Sequence, residues 1–279
     1  MCSPHAQCPV LLQIDSLPSR SQAVGRRASR PTVVRRWYPL TMPAILNPVP
    51  ASSSIVEIEV GGILFDMDGV LVRSTSGDER CWTRWAERHR PTAGFDLMKT
   101  HGRRAADTIR EHLPHISEGE LKQHLADLDA FAEEEQIGAE AYAGARQLLS
   151  SIPSHRWTVV TSASERMMRS RLASVGIVSP RSAVGGYCVM RGKLDPEGYL
   201  RGAALLSRLP HECLVVEDAP AGIQAGRSAG CQVLVVASSH AIEELRQADW
   251  IVASLDQIQL SISDSATLKL RFPALTSVL

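Results

Sequence analysis

The sequence lacks any excess of charge. Its 30 Lys and Arg residues balance 30 Asp and Glu, so the global field gives no case for nucleic acid or an anionic membrane as partner. No apolar run approaches the length that crosses a bilayer. Six cysteines (Cys2, Cys8, Cys81, Cys188, Cys213 and Cys231) are scattered with no C-x-x-C spacing. That scatter argues against a zinc site and a disulfide framework, and suits a reducing compartment. No internal repeat is present. What remains is ordinary globular material: 44% hydrophobic and 22% charged, in 279 residues that can hold one domain with a proper core plus an insert.

Residues 1 to about 54 differ from the rest. Arg20, Arg26, Arg27, Arg30, Arg35 and Arg36 face a single acid, Asp15, among many Ser and Pro. A disordered tail, an Arg-rich mitochondrial targeting peptide and a misassigned start, with Met42 as the true first residue, all fit this composition.

The chemistry centres on Gly62 to Val72. Ile63-Leu64-Phe65 is an apolar run too short for a helix and bounded by Gly61-Gly62, which reads as a buried strand. Asp66 and Asp68 follow at its C-terminal end, spaced so that both can point the same way if the extended conformation persists. Gly69 then lets the chain leave the sheet. In open α/β sheets this is where ligands bind. Two close carboxylates need a compensating cation, and carboxylate oxygens suit Mg²⁺.

No strand signal follows until about residue 140. Trp82, Trp85, Ala86 and His89 fall at helical spacing, as do Leu121, Leu125, Leu128 and Phe131, so a helical insert is expected. Within it lies His101-Gly102-Arg103-Arg104, either a helix start with surface arginines or a cationic loop facing an anionic substrate. Trp157 to Val160 reads as a strand ending in Thr161-Ser162-Ala163-Ser164, where hydroxyls at a helix start can cap the helix or meet phosphate. Lys193 follows Gly192 on a loop. Cys213 to Val216 is a further strand ending in the acidic pair Glu217-Asp218, a second pointer to a metal. Val233 to Val236 is another strand, residues 249 to 262 give short edge elements, and residues 263–279 read as a tail.

Four ordered pieces, FDMDGVLV, VVTSAS, GKLDP and VVEDAPAGIQAGRSAG, resemble the four motifs of the haloacid dehalogenase-like superfamily, over roughly residues 60 to 262. The insert resembles the subfamily I cap, and HGRR followed by DTIR is similar to the glycerol-3-phosphatase and 2-deoxyglucose-6-phosphate phosphatase branch. The resemblance implies a three-layer, Rossmann-like α/β parallel-sheet core with an inserted helical cap. It implies Asp66 as nucleophile and Asp68 as proton donor and acceptor. Thr161 and Lys193 would hold the phosphoryl group, and Ser162, His101, Gly102 and Arg103 would contact substrate, Arg104 being a surface neighbour. Mg²⁺ would be held by Asp66, the Asp68 carbonyl and Asp218, with Glu217 beside it. Arg73 replaces a frequent Asp, and Leu194 a frequent Pro; both changes spare the charged groups.

The expected organisation is an N-terminal extension (1–54), a core (55–75 and 141–262), a cap (76–140) and a C-terminal tail (263–279). The expected activity is Mg²⁺-dependent hydrolysis of a small sugar or polyol phosphate, of glycerol-3-phosphate or hexose-6-phosphate type, in the cytoplasm. The rivals are a phosphomutase of the same superfamily and a regulator with a decayed site; none of the matched catalytic groups is missing. Nothing in the sequence states the oligomeric state.

Overall fold

The computed structural model describes residues 54–91, 95–100, 102–134, 139–263 and 267–277. The N-terminal extension apart from Ser54, and His101, therefore lie outside the described residues.

Strands β1 (Ser54–Val60) and β2 (Gly62–Phe65) are followed by the short β3 (Val72–Arg73). Three helices then form the insert: α1 (Thr75–His89), α2 (Ala105–His112) and α3 (Glu118–Glu134). The chain returns through β4 (Glu140–Ala141), which pairs antiparallel with β3 and closes the base of the insert. The core continues with α4 (Ala145–Ser151), β5 (Trp157–Val159), α5 (Glu165–Ser174), α6 (Glu197–Leu205), β6 (Cys213–Glu217), α7 (Pro220–Ser228), β7 (Gln232–Val236) and β8 (Trp250–Val252). Last come β9 (Gln259–Ile262), β10 (Leu268–Ala274) and β11 (Thr276–Ser277).

The main sheet has the order β11-β8-β7-β6-β2-β5, parallel except for β11. Side chains alternate along β2, so its two faces feed two cores. Ile63 and Phe65 join Leu148 and Leu149 of α4 and Met168 and Leu172 of α5. Leu64 joins Tyr199 and Ala203 of α6 and Ile223 of α7 on the other face. Burial on both faces is why this strand is a continuous apolar run rather than an alternating one. The arrangement is the α/β three-layer sheet that the sequence led us to expect.

The stretch read as a tail differs from that reading. Leu268, Leu270, Phe272 and Ala274 are buried while Lys269 and Arg271 point outward, a period of two. They form β10, the centre of a separate antiparallel sheet in the order β1-β10-β9. On its outer face Glu57 meets Lys269 and Arg271 at 3.0 and 3.2 Å. Residues 55–60, expected within the core segment 55–75, belong to this second sheet, and Gly61 separates them from β2.

In the insert, Trp82 and Trp85 of α1 pack with Ile109 of α2 and Leu121, Leu128 and Phe131 of α3. Met167 of α5 packs against the same cluster, so the insert rests on the core beside the C-terminal ends of β2 and β5.

Candidate active site

Asp66 follows β2 directly, and its backbone N–H donates to the Val216 carbonyl at 2.9 Å. The chain then turns at Gly69, whose φ is 87°, and a Cβ there would lie 1.9 Å from Asp218 Oδ2. Only glycine allows the turn and the approach of Asp218 together. Asp68 sends its carboxylate elsewhere. Its Oδ1 accepts from Ser74 Oγ at 2.6 Å and from Arg171 Nη1 at 2.6 Å.

Glu217 and Asp218 end β6, as their place after Val215-Val216 suggested. Ligand atoms of Asp66, Glu217 and Asp218 lie within 4.8 Å of one another, and all three residues are buried. Lys193 Nζ sits between Asp66 Oδ1 at 2.6 Å and Glu217 Oε1 at 2.5 Å. Glu217 Oε1 also accepts from Tyr199 OH at 2.5 Å, and Oε2 from the Asp218 N–H at 3.0 Å. Ser239 Oγ donates to Asp218.

Burial is the leading cause that raises the Asp66 and Asp218 carboxyls. Asp66 is pushed well up by burial, against the pull of Lys193, with Glu217 and Asp218 adding to the rise. Asp218 is pushed up to about 7 by burial and then by Glu217. Burial opposes the Lys193 charge, but Asp66 and Glu217 together outweigh it and raise its pKa. The cluster carries more negative charge than one ammonium offsets.

Leu194, where the resembled family often has Pro, has φ 53°. A proline ring holds φ near −65°, so the loop around Lys193 takes a path that proline could not follow.

Thr161 is buried at the end of β5, and its Oγ1 accepts from the Ala163 N–H at 3.1 Å. Ser162 reaches the insert, donating to the Gly102 carbonyl at 2.8 Å. Ser164 caps α5, accepting from the Met167 N–H at 3.1 Å, and donates to Asp129 of α3 at 2.9 Å. Burial raises the pKa of Asp129, and the Ser164 hydrogen bond lowers it. One cavity is bounded on the core side by Asp66, Asp68, Thr161, Lys193 and Asp218, and on the insert side by Trp82, Gly102, Arg103 and Asp129.

The two adjacent arginines separate. Arg103 lines the cavity and pairs with Glu111 at 2.7 Å. Arg104, expected at the surface, is buried. It holds Asp107 through two nitrogens and donates to the carbonyls of Val189 at 2.6 Å and Met190 at 2.9 Å. Sequence reading also passed over Asp78, Asp129, Arg171, Tyr199 and Ser239. Arg171 had a local signal: it adjoins the buried stripe of Met168, Leu172 and Val175.

A family model described as haloacid dehalogenase-like hydrolase matches residues 60–230. This chain belongs to the haloacid dehalogenase-like hydrolases. Hexitol phosphatase A of Escherichia coli is 38% identical to this hydrolase over 205 residues, 72% of this chain and 94% of that protein. 2-Deoxyglucose-6-phosphate phosphatase 1 of Saccharomyces cerevisiae is 28% identical over 218 residues, 71% of this chain and 89% of that protein. The crystal structure of β-phosphoglucomutase from Clostridium difficile matches with a TM-score of 0.61 at 21% identity, covering 72% of this chain and 93% of that one. At that identity the likeness speaks to the fold. Members of this hydrolase family use a divalent cation, and the buried trio of carboxylates has the oxygen donors such an ion takes.

Proposed function

We propose that this hydrolase is a Mg²⁺-dependent phosphatase. It cleaves the monoester of a small phosphorylated sugar or polyol through an aspartyl-phosphate on Asp66. The observation that carries the reading is the surplus of buried negative charge: Asp66, Glu217 and Asp218 share one ammonium, that of Lys193. Such a surplus is stable only with a further cation or with protonated acids. Asp66, Asp218 and the Asp68 carbonyl would hold Mg²⁺, with Glu217 bound directly or through water, and the ion would supply positive charge against the phosphoryl oxygens.

In this reading the Asp66 carboxylate attacks phosphorus. The bond to the leaving oxygen breaks, and Asp68 gives that oxygen a proton. Water then attacks phosphorus and passes its proton to Asp68, the Asp66–phosphorus bond breaks, and phosphate leaves. Thr161 and Lys193 hold the phosphoryl oxygens throughout. Ser162, Gly102 and Arg103, which line the cavity, would contact the sugar or polyol. The relatives named as hexitol and 2-deoxyglucose-6-phosphate phosphatases, matched over 94% and 89% of their lengths, support the substrate class.

Phosphate release from a panel including glycerol-3-phosphate and hexose 6-phosphates, with Mg²⁺ and after chelation, tests this. Metal-dependent release that disappears in Asp66→Asn is expected. Conversion of a sugar 1-phosphate to its 6-phosphate without phosphate release would favour the mutase instead, and no turnover at all the regulator. No described helix is long and apolar enough to cross a membrane. The free thiols of Cys81, Cys188, Cys213 and Cys231 support a cytoplasmic placement.

A further inference from the structure

The cavity holds a carboxylate that phosphate chemistry does not use. Asp129 projects from α3 into the space that Asp66 and Lys193 bound from below. Its Oδ1 accepts from Ser164 Oγ at 2.9 Å, its single hydrogen bond among the described residues. The cations nearest to it are committed elsewhere. Arg166 is held by both oxygens of Glu133, at 2.6 and 2.8 Å. Arg171 is held by Asp68 and Asp78. Arg103, which lines the same cavity, pairs with Glu111. Asp129 thus presents one free acceptor oxygen, and its charge is attracted by Arg166 and Arg171 without a direct ion pair to either.

An ionised carboxylate accepts hydrogen bonds and cannot donate them. It is suited to hydroxyl groups and repels a second phosphate or a carboxylate at the same spot. We propose that Asp129 is a specificity-determining residue: it binds hydroxyls of the leaving alcohol and turns away substrates bearing a further anionic group. This rests on the phosphatase reading above and sharpens it. The substrate is the monophosphate of a neutral polyhydroxy alcohol, and a route that must hold a doubly phosphorylated sugar is disfavoured.

The test compares kcat/KM for three esters on the full chain with saturating Mg²⁺: a hexitol phosphate, p-nitrophenyl phosphate and 3-phosphoglycerate. Asp129→Asn keeps the shape and the oxygen that Ser164 bonds. It is expected to lower kcat/KM for the hexitol ester about tenfold or more, the scale of one charge-assisted hydrogen bond. It should leave p-nitrophenyl phosphate within about twofold and raise 3-phosphoglycerate relative to both. Ser164→Ala removes the link between α3 and α5 but keeps the charge, and should change these ratios little. Ratios measured on one protein cancel a loss of folded enzyme. An unchanged ratio in Asp129→Asn overturns the inference. The same selective loss in Ser164→Ala also overturns it, because Asp129 would then act as a latch between insert and core. Failure of the phosphatase reading is seen separately, in a wild-type enzyme that hydrolyses no sugar or polyol phosphate, and it takes this inference with it.

Discussion

Arg171 ties Asp68 to the insert. One terminal nitrogen lies 2.6 Å from Asp68 Oδ1, and the other donates to Asp78 on α1. The Arg171 side chain is 6% exposed, so α5 places a full charge in the interior between a motif aspartate and a helix of the insert. Burial raises the pKa of Asp78 despite that partner. A buried ion pair is costly to break because the remaining charge has no water to return to. Arg171→Met should therefore cost about 3–5 kcal/mol in denaturant unfolding. Adding Asp78→Leu should recover part of it. Equal stability of Arg171→Met and wild type would mean that the pair is solvated.

Asp218 is fixed by Ser239, by the turn at Gly69 and by burial. If it is a ligand, Asp218→Ala should raise the Mg²⁺ concentration for half-maximal activity by about tenfold or more. A Mg²⁺ titration that superposes on the wild-type curve would exclude it.

The motif residues were legible because their signals are local. An apolar run, a carboxylate pair at its end and a glycine are written within a few positions, and β2 and β6 place those pairs side by side. The burial of Arg104 was not legible, because it depends on partners far along the chain; Arg171 showed its place beside an apolar stripe but not the carboxylates it would meet. Arg104 bonds the carbonyls of Val189 and Met190, and Arg171 bonds Asp78 and Asp68. β10 was legible and passed over: Leu268, Leu270 and Phe272 alternate with Lys269 and Arg271, but the run sits past the last motif. Leu194 marks the opposite limit, since no local pattern announces a φ of 53° at a leucine.

A pH dependence is built into the insert. Trp85 Nε1 donates to His124 Nδ1 at 3.1 Å, so that ring nitrogen must be bare. Burial and then the neighbouring His89, 4.0 Å away between ring centres, lower the His124 pKa, with Arg88 adding, against Asp127 and Glu120. The folded pKa thus lies below the ordinary 6.5. Between the two values the unfolded chain binds more protons, so stability is full above 6.5 and falls as pH drops below it. The melting temperature should decline between about pH 7 and pH 5. His124→Gln keeps an acceptor for Trp85 and should flatten that decline; an equally steep profile in the variant would assign the effect to other groups.

The adjacent arginines of the insert should separate in kinetics as they do in space. Arg103 lines the cavity and is paired with Glu111. Arg103→Ala should lower kcat/KM for a sugar or polyol phosphate about tenfold to a hundredfold, as loss of one charge-assisted contact does, and spare p-nitrophenyl phosphate. Arg104 acts on the core instead. Its side chain packs on Gly192, where an added Cβ would lie 3.0 Å from it, directly before Lys193. Removing it leaves the carbonyls of Val189 and Met190 without this donor and Asp107 without its partner; these acceptors are only partly buried, so each loss costs toward the lower end of about 1–3 kcal/mol. It also loosens the loop that sets Lys193 between Asp66 and Glu217. Arg104→Ala should therefore lower the melting temperature and depress both substrates together. Arg104→Ala with normal rates on p-nitrophenyl phosphate would show that Lys193 is positioned without the clamp.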